Sequence, residues 1–439
     1  MMIRKLVALI ALMLLSFTAF TTSTRAQNGR ELPREWIDPD TGHRVVRLSD
    51  EAGSQSLYFH QNGYTADGTK LIITTPTGLS TVNLKTRVIE KVVDGRVNLI
   101  MTGRKTGQAY YVKMGTVYTL DLNTHVSKEI AKVPQRGLVA TVNADETLLA
   151  GTITDGDNPF APRAQGAQIP ETPPTENTAQ RPQPGRDSYP GKGEMMERRL
   201  AARLPMQLFI LNIKTGEVKT IHRSTDWLNH LQFSPTDPAL LMFCHEGPWH
   251  KVDRTWTIRT DGSALTQIHK RTINMEIEGH EFFQGDGKMI WYDLQTPRSQ
   301  VFWVAGYDVA TGKRIWYNLQ RSEWSVHYNV SPDGQLFAGD GGGPNSVAAP
   351  NNGQWIYLFR PEMLPDRTDG QLPNSKELIQ PGFFKAEKLV NLSKHDYSLE
   401  PNVTFTPDMK WLVFRSNMLG PTHVFAVEIE KAATSKTNH

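Results

Sequence analysis

The sequence predicts an all-β fold: a seven-bladed β-propeller with four-stranded blades and one short helix in an insertion. Three observations carry this. One strand–turn–strand unit recurs along the chain, a second kind of hairpin follows most copies, and 3.6-residue apolar periodicity is nearly absent. The recurring unit opens on an apolar or aromatic residue, turns through an x-Asp-Gly-like corner and ends in a strand. Its copies are NGYTADGTKLIIT (62–74), TVNADETLLAGTI (141–153), HLQFSPTDPALLMFC (230–244), HEFFQGDGKMIWYD (280–293), HYNVSPDGQLFAGD (327–340) and NVTFTPDMKWLVFR (402–415). A weaker copy, LIMTGRKTGQAYYVK, runs from 99 to 113. The second hairpin has an Asp/Asn-x-x-Thr-Gly corner or a looser relative: VNLKTR (82–87), LDLNTH (120–125), LNIKTGEV (211–218), IRTDGSA (258–264) and YDVATGKR (307–314). Such corners supply residues that tolerate positive φ and close tight hairpins. Two hairpins make a four-stranded sheet, and repetition at roughly 40–50 residues is the spacing of propeller blades. The alternating strands are expected to bury one face. A β-sandwich array is the competing reading of the same strands.

The ends and the gaps between copies follow. Residues 1–26 combine Arg4 and Lys5, an apolar run from Leu6 to about Phe20, and an Ala26–Gln27 junction, the pattern of a secretory signal peptide. The expected location is therefore periplasmic or secreted, with no membrane attachment once the signal is removed. One propeller is expected over 27–432, then a flexible tail at 433–439. A Pro-rich insertion at about 155–193 reads as a disordered surface loop. It leads into EMMERRLAARLPM (194–206), the one short helix, whose Arg198, Arg199 and Arg203 read as a solvated face or as a contact for acidic sugars. The single cysteine, Cys244, excludes an internal disulfide framework. A net charge of +3 without a basic, aromatic-interleaved stripe argues against nucleic acid and suits a small anionic substrate. Oligomeric state is left open.

The repeat also aligns side chains. Counting back seven residues from the Gly of the corner gives Gln61, His280 and His327, and Asn402 where Met409 stands for the Gly. The Ser-Pro turn puts His230 at the same place. Blades laid down in one orientation point the same position into one central channel. Three histidines and two amides at one register predict a functional ring, and strand alternation adds Glu400 on the side of Asn402. His60 lies beside Gln61. Other chemistries lack their motifs: HEGPWH (245–250) is no H-E-x-x-H helix, one thiol makes no Cys-rich zinc site, and GDGGG (339–343) is a turn without a helix start. A mixed set of His, Glu and Asn suits a borderline-to-hard divalent ion such as Mn²⁺.

The segments FCHEGPWHKVDRTW (243–256), GHEFF (279–283), VHYNVSPDG (326–334), FAGDGG (337–342) and EPNVTFTPD (400–408), with the opening 36–71, resemble the oligogalacturonate lyases, polysaccharide lyase family 22. The resemblance spans nearly all of the chain after the signal except the Pro-rich insertion. It implies a seven-bladed propeller that cleaves short acidic oligosaccharides from pectin by β-elimination with a divalent metal, typically manganese. It further implies His280 as general base, Arg254 as the arginine that helps the substrate carboxylate, and His327 as a metal ligand. The family's remaining ligands, a Gln and two His, fall here on Tyr397, Glu400 and Asn402. Glu400 and Asn402 still offer oxygen, so Ca²⁺ or Mg²⁺ joins Mn²⁺ among the expected ions.

These residue types suit the reaction. A uronide C5 proton is acidified once its neighbouring carboxylate is neutralised by a metal or an arginine, and a neutral histidine can then remove it. His230, His245, His250, Tyr328 and Gln61 are the expected substrate contacts; the leaving-group acid is unassigned, with water or Tyr328 able to serve. Trp249, Trp256 and Trp324 read as core or as sugar-stacking platforms. The competing function is a non-catalytic periplasmic propeller of TolB-like type that binds a protein or glycan.

Overall fold

The computed structural model describes residues 32–156, 192–344, 346, 353–365 and 372–432. The expected signal peptide, most of the Pro-rich insertion and the tail lie outside them. The chain divides into Met1–Pro33 and Arg34–His439, and the second unit is the propeller. Among the described helices none is long and apolar enough to cross a membrane.

Seven antiparallel sheets follow one another. Blade 1 has Lys70–Thr75, Gly78–Asn83 and Ile89–Asp94, with an irregular inner segment joined by the bridges Gln55↔Thr74 and Tyr64↔Leu71. Blades 2, 3 and 4 begin at the inner strands Asn98–Thr102, Gly137–Val142 and Trp227–Phe233, and each has four strands. Blade 5 begins at Ile277–Phe283 and blade 6 at Tyr328–Val330. Their outer strands, Arg314–Leu319 and Gln380–Asn391, also pair in parallel, so the two sheets run into one. Blade 7 takes Thr404–Phe405, Trp411–Ser416 and His423–Lys431 from the C-terminal end and His43–Arg47 from the N-terminal end. That mixed blade closes the ring.

The corners explain why these residues make hairpins. In the second hairpin of blades 1, 2, 3 and 5, one Asn or Asp side-chain oxygen accepts two backbone N–H groups. Asn83 takes those of Lys85 and Thr86 at 3.0 and 2.8 Å, Asp121 those of Asn123 and Thr124, Asn212 those of Lys214 and Thr215, and Asp308 those of Ala310 and Thr311. The residue four positions after each acceptor is left-handed: Arg87, His125, Gly216 and Gly312. The Asp-Gly corners do likewise, with Gly68, Gly287 and Gly334 at φ of 70–73°.

Packing corrects the expected one-faced strands. Second strands such as LLMFC, MIWYD and WLVFR are apolar throughout because each face meets a different neighbouring blade. Leu241 and Phe243 pack toward blade 3 while Met242 packs toward blade 5; Met289 and Trp291 face blade 6 while Ile290 and Tyr292 face blade 4. Seven buried apolar clusters among the described residues correspond to the seven interfaces. A sheet covered on both sides needs no polar face.

The helix spans Lys192–Ala202 rather than 194–206. It stops where Arg203 turns left-handed, two residues before Pro205. Its arginines are not a uniform solvated face. Arg198 is exposed, but Arg199 is buried over the Trp227 ring at 4.0 Å, and Arg203 pairs with Asp226.

Candidate active site

Three successive blades present the same device. In blade 5, His280 donates its Nδ1 proton to Asp293 at 2.8 Å, and in blade 6 His327 donates to Asp340 at 2.8 Å. In blade 4, His230 Nε2 lies 3.0 Å from Glu246. Each acid sits on the neighbouring strand or directly after it. Cys244 stands opposite Asn229 as Asp293 stands opposite Gly279, and the carboxylate of blade 4 arrives two residues later on the same face. A carboxylate on one ring nitrogen fixes the tautomer and directs the other nitrogen outward. His280 Nε2 has no hydrogen-bond partner among the described residues.

The backbone explains how a histidine leaves the strand. His230 and His280 are left-handed, each at φ 48°, and the register of both inner strands shifts at that point, between Asn229 and Gln232 and between Gly279 and Phe282. A bulge at a non-glycine residue is strained and re-aims a side chain, which is where functional residues collect. Asn402 has the same backbone, φ 56°.

The imidazoles converge. Ring centroids of His280 and His327 lie 4.9 Å apart, those of His60 and His230 6.2 Å, and Tyr58 is 5.0 Å from both His60 and His327. Burial, reinforced by His230, His327 and His280, holds His60 well below its ordinary pKa, so it is a neutral member of the group. The Tyr58 hydroxyl is 3.1 Å from His327 Nε2, and Glu400 lies 3.6 Å from the same nitrogen. The ring borders a chamber of about 1330 Å³ lined by Tyr58, His60, Gln61, His230 and Arg415, at the end where the inner strands begin.

Several expected residues are placed elsewhere. Arg254 is not on the channel surface. It is 2% exposed and tied to Glu246 at 3.2 Å and Glu281 at 3.5 Å. Burial opposes its charge, but the two carboxylates more than compensate and hold its pKa well above the ordinary value. It lies behind His230, whose partner Glu246 it shares. Tyr328 is 1% exposed and its hydroxyl accepts the Ser325 N–H, so it is a core residue and neither a channel contact nor an acid at the channel surface. Asn402 is fully buried. Its Oδ1 accepts the Phe59 N–H at 3.1 Å and its Nδ2 donates to the Glu400 carbonyl at 3.0 Å, which commits the amide to backbone rather than to a metal. Tyr397 donates to the Asp340 carbonyl. His245 faces away from the Cys244 side of its strand and stacks on Trp256 at 5.3 Å. His250 lies in the loop after that strand, where Lys251, Arg298, Glu197 and Arg271 are its charged neighbours. Gln61 does line the chamber. Trp324 is core.

Among the described residues, two groups could hold a cation. His230, Cys244 and Glu246 offer ligand atoms within 4.8 Å of one another. That seat is already taken by a cation, because the Arg254 guanidinium contacts both Glu246 and Cys244. Burial also pushes the Cys244 thiol up and keeps it neutral. The second group is His327 with Glu400, backed by Asp340 and adjoined by Tyr58. An imidazole and a carboxylate with a second carboxylate behind the imidazole fit a borderline-to-hard divalent ion.

Sequence reasoning did not find Tyr58, Glu246, Glu281, Asp293 or Asp340. The last two had a signal: each lies 13 residues after its histidine, His280 or His327.

Comparison with known proteins identifies the family and the fold. The family model for oligogalacturonate lyase matches residues 201–433. An oligogalacturonate lyase of Dickeya dadantii (strain 3937) is 25% identical over 411 residues, covering 89% of this chain and 95% of that protein. An oligogalacturonide lyase of Pectobacterium atrosepticum is 24% identical over 423 residues, covering 91% and 98%. Two solved structures share the fold at 22% identity, each covering 90% of this chain and 96% of its own. They are an oligogalacturonate lyase from Vibrio parahaemolyticus, TM-score 0.70, and an oligogalacturonate lyase in complex with manganese, TM-score 0.68.

Proposed function

The chain belongs to the oligogalacturonate lyase family, and on that footing we propose that it cleaves short oligogalacturonides by β-elimination, with His280 as the base. The observation that carries the assignment of the base is the His280–Asp293 pair, which leaves Nε2 open on a ring of imidazoles. Nε2 takes the C5 proton, the C5–H electron pair becomes the C4=C5 double bond, and the C4–O bond breaks. Asp293 holds the ring and stabilises the imidazolium that forms. The leaving oxygen needs a proton. Tyr58 is the hydroxyl that adjoins the imidazoles and takes the place considered for Tyr328.

His327 and Glu400 are the residues that would hold a divalent metal, with manganese preferred and the harder Ca²⁺ or Mg²⁺ as alternatives. The chemistry such an ion supplies is neutralisation of the substrate carboxylate. The Asp340 carboxylate orients His327 for that task by accepting both its Nδ1–H and its backbone N–H, at 2.8 Å each. Arg254, with Glu246 and Glu281, positions His230 as a wall residue in contact with the sugar. The leader at residues 1–26 supports a periplasmic or secreted location. A purely binding propeller would leave three histidine–carboxylate pairs on one channel without a role.

The test is direct. Trigalacturonate with the protein and Mn²⁺ should give an unsaturated product visible by ultraviolet absorbance, and His280→Ala should lower the rate by about 10²–10⁴-fold. Full activity in that variant overturns the base assignment, and no product from any oligouronide overturns the lyase reading.

A further inference from the structure

The channel has a second chamber. His60 and Gln61 line the wide chamber and also a smaller one of about 470 Å³ at the opposite end, where the inner strands finish. That volume is within the roughly 300–1,000 Å³ of small-molecule sites. Arg104, in the corner after the inner strand Asn98–Thr102, lines this far chamber.

Arg104 is held there by design of the corner. Glu146, from the blade 3 corner, accepts the N–H groups of Lys105 and Thr106 at 2.7 Å each and the Tyr110 hydroxyl at 2.9 Å. The Glu146 carboxylate is thus spent on the two residues that follow Arg104 and on a tyrosine. Gly103 permits this approach, because a Cβ there would stand 2.3 Å from the Glu146 carboxylate. Two other acids line the chamber, Asp67 and Asp286. Asp67 binds Thr65 and Thr69, and Asp286 lies 3.6 Å from Lys288. Arg104 has no hydrogen bond or ion pair among the described residues. Arg104 is exposed to the chamber, and desolvation by the blades around it brings its pKa down to about 10. An exposed guanidinium with no protein partner among the described residues keeps its forked donors free for an anion from solution.

We propose that Arg104 forms an anion site in the far chamber for a small organic carboxylate of uronic-acid size, separate from the histidine ring. The claim concerns binding and does not need the lyase reading. Arg presents two parallel N–H donors that match a carboxylate, and a chamber of this volume admits the sugar ring attached to it.

Calorimetric titration of the full mature chain tests it, with galacturonate as probe and galactose as the neutral control. In Arg104→Gln, the number of galacturonate molecules bound should fall by one per chain, or that site should weaken about 10–100-fold, the expected loss for charge-assisted hydrogen bonds. Arg104→Lys should retain part of the affinity and also decides the matter if the Gln variant does not melt like the native protein. Galactose should not compete at the site. Trigalacturonate separates the sources. A parallel loss assigns the site to a unit of the bound oligomer, and a loss confined to galacturonate assigns it to the free monomer. Unchanged number and affinity for both probes in a native-like Arg104→Gln protein overturns the site. Absence of turnover with intact Arg104-dependent binding overturns only the lyase reading.

Discussion

Blades 5 and 6 can be set against blade 7. All three have a polar residue at the same register, and 13 residues later each has a charged residue: Asp293, Asp340 and Arg415. In blades 5 and 6 the pair is imidazole and carboxylate; the His280 ring is part-exposed, while the His327 ring is buried with Nε2 against Tyr58 and Glu400. In blade 7 the pair is Asn402 and Arg415. Asn402 bonds the Phe59 N–H across 343 residues, and Arg415 reaches the Glu400 carbonyl and the Gln55 side chain at 2.8 Å each. Blade 7 is where the two ends of the chain meet, and its register residue ties the ring shut. One repeat position therefore serves chemistry in two blades and closure in a third. The partner 13 residues on tells which, because an acid orients a histidine while an arginine seeks carbonyl oxygens.

The contrast can be broken most forcefully behind the catalytic wall. Arg254→Met leaves Glu246 and Glu281 buried without their cation, and should cost about 3–5 kcal/mol in denaturant unfolding. A loss below 1 kcal/mol would mean that the wall is not built on this pair.

Glu278, on the same strand as His280, comes next. Burial raises its pKa from 4.5 to about 7, and its Oε1 has no partner. The folded state therefore holds a proton that the unfolded chain releases at lower pH. Its contribution favours folding below pH 4.5 and is lost as pH rises to about 7, on the order of 3 kcal/mol. Glu278→Gln should flatten stability across that window, as read by melting at successive pH values. An unchanged slope would place the effect elsewhere.

The two register pairs should then respond differently. Asn402→Ala should destabilise by about 1–3 kcal/mol, because it leaves the Phe59 N–H unpaired, with turnover per folded molecule nearly kept. Asp293→Asn should do the reverse. Turnover should fall about 10–100-fold while melting changes little, since the histidine loses its orienting acid. If both variants lose stability and keep turnover, the division of labour between blades fails.

Legibility followed how local each feature is. The Asn83, Asp121, Asn212 and Asp308 corners were readable because an acceptor, two amides and a left-handed residue lie within five positions. Seven copies of the first corner gave seven blades. The channel position of His280, His327 and His230 was readable from the same ruler. Tyr328 was misplaced because strand alternation puts it one residue beyond His327 and on the other face, inside an aromatic cluster with Phe359. The role of Arg254 as a carboxylate clamp comes from the family resemblance alone, and its buried partners, Glu246 and Glu281, are not legible because they belong to two different blades. Second strands were read as half-exposed because the sequence does not state that a blade has a neighbour on both sides.

By itself the sequence determined the blade, the number of blades and the residue that each presents at the channel register, because these depend on spacing along one strand–turn–strand unit. The tertiary structure alone decided what each register residue does. That depends on which side chain the neighbouring strand or the far end of the chain brings within 3 Å, as Asp293 does for His280 and Phe59 for Asn402. It also decided that Arg104 has no ion pair among the described residues, while the Glu146 carboxylate from the next blade is taken by Lys105, Thr106 and Tyr110.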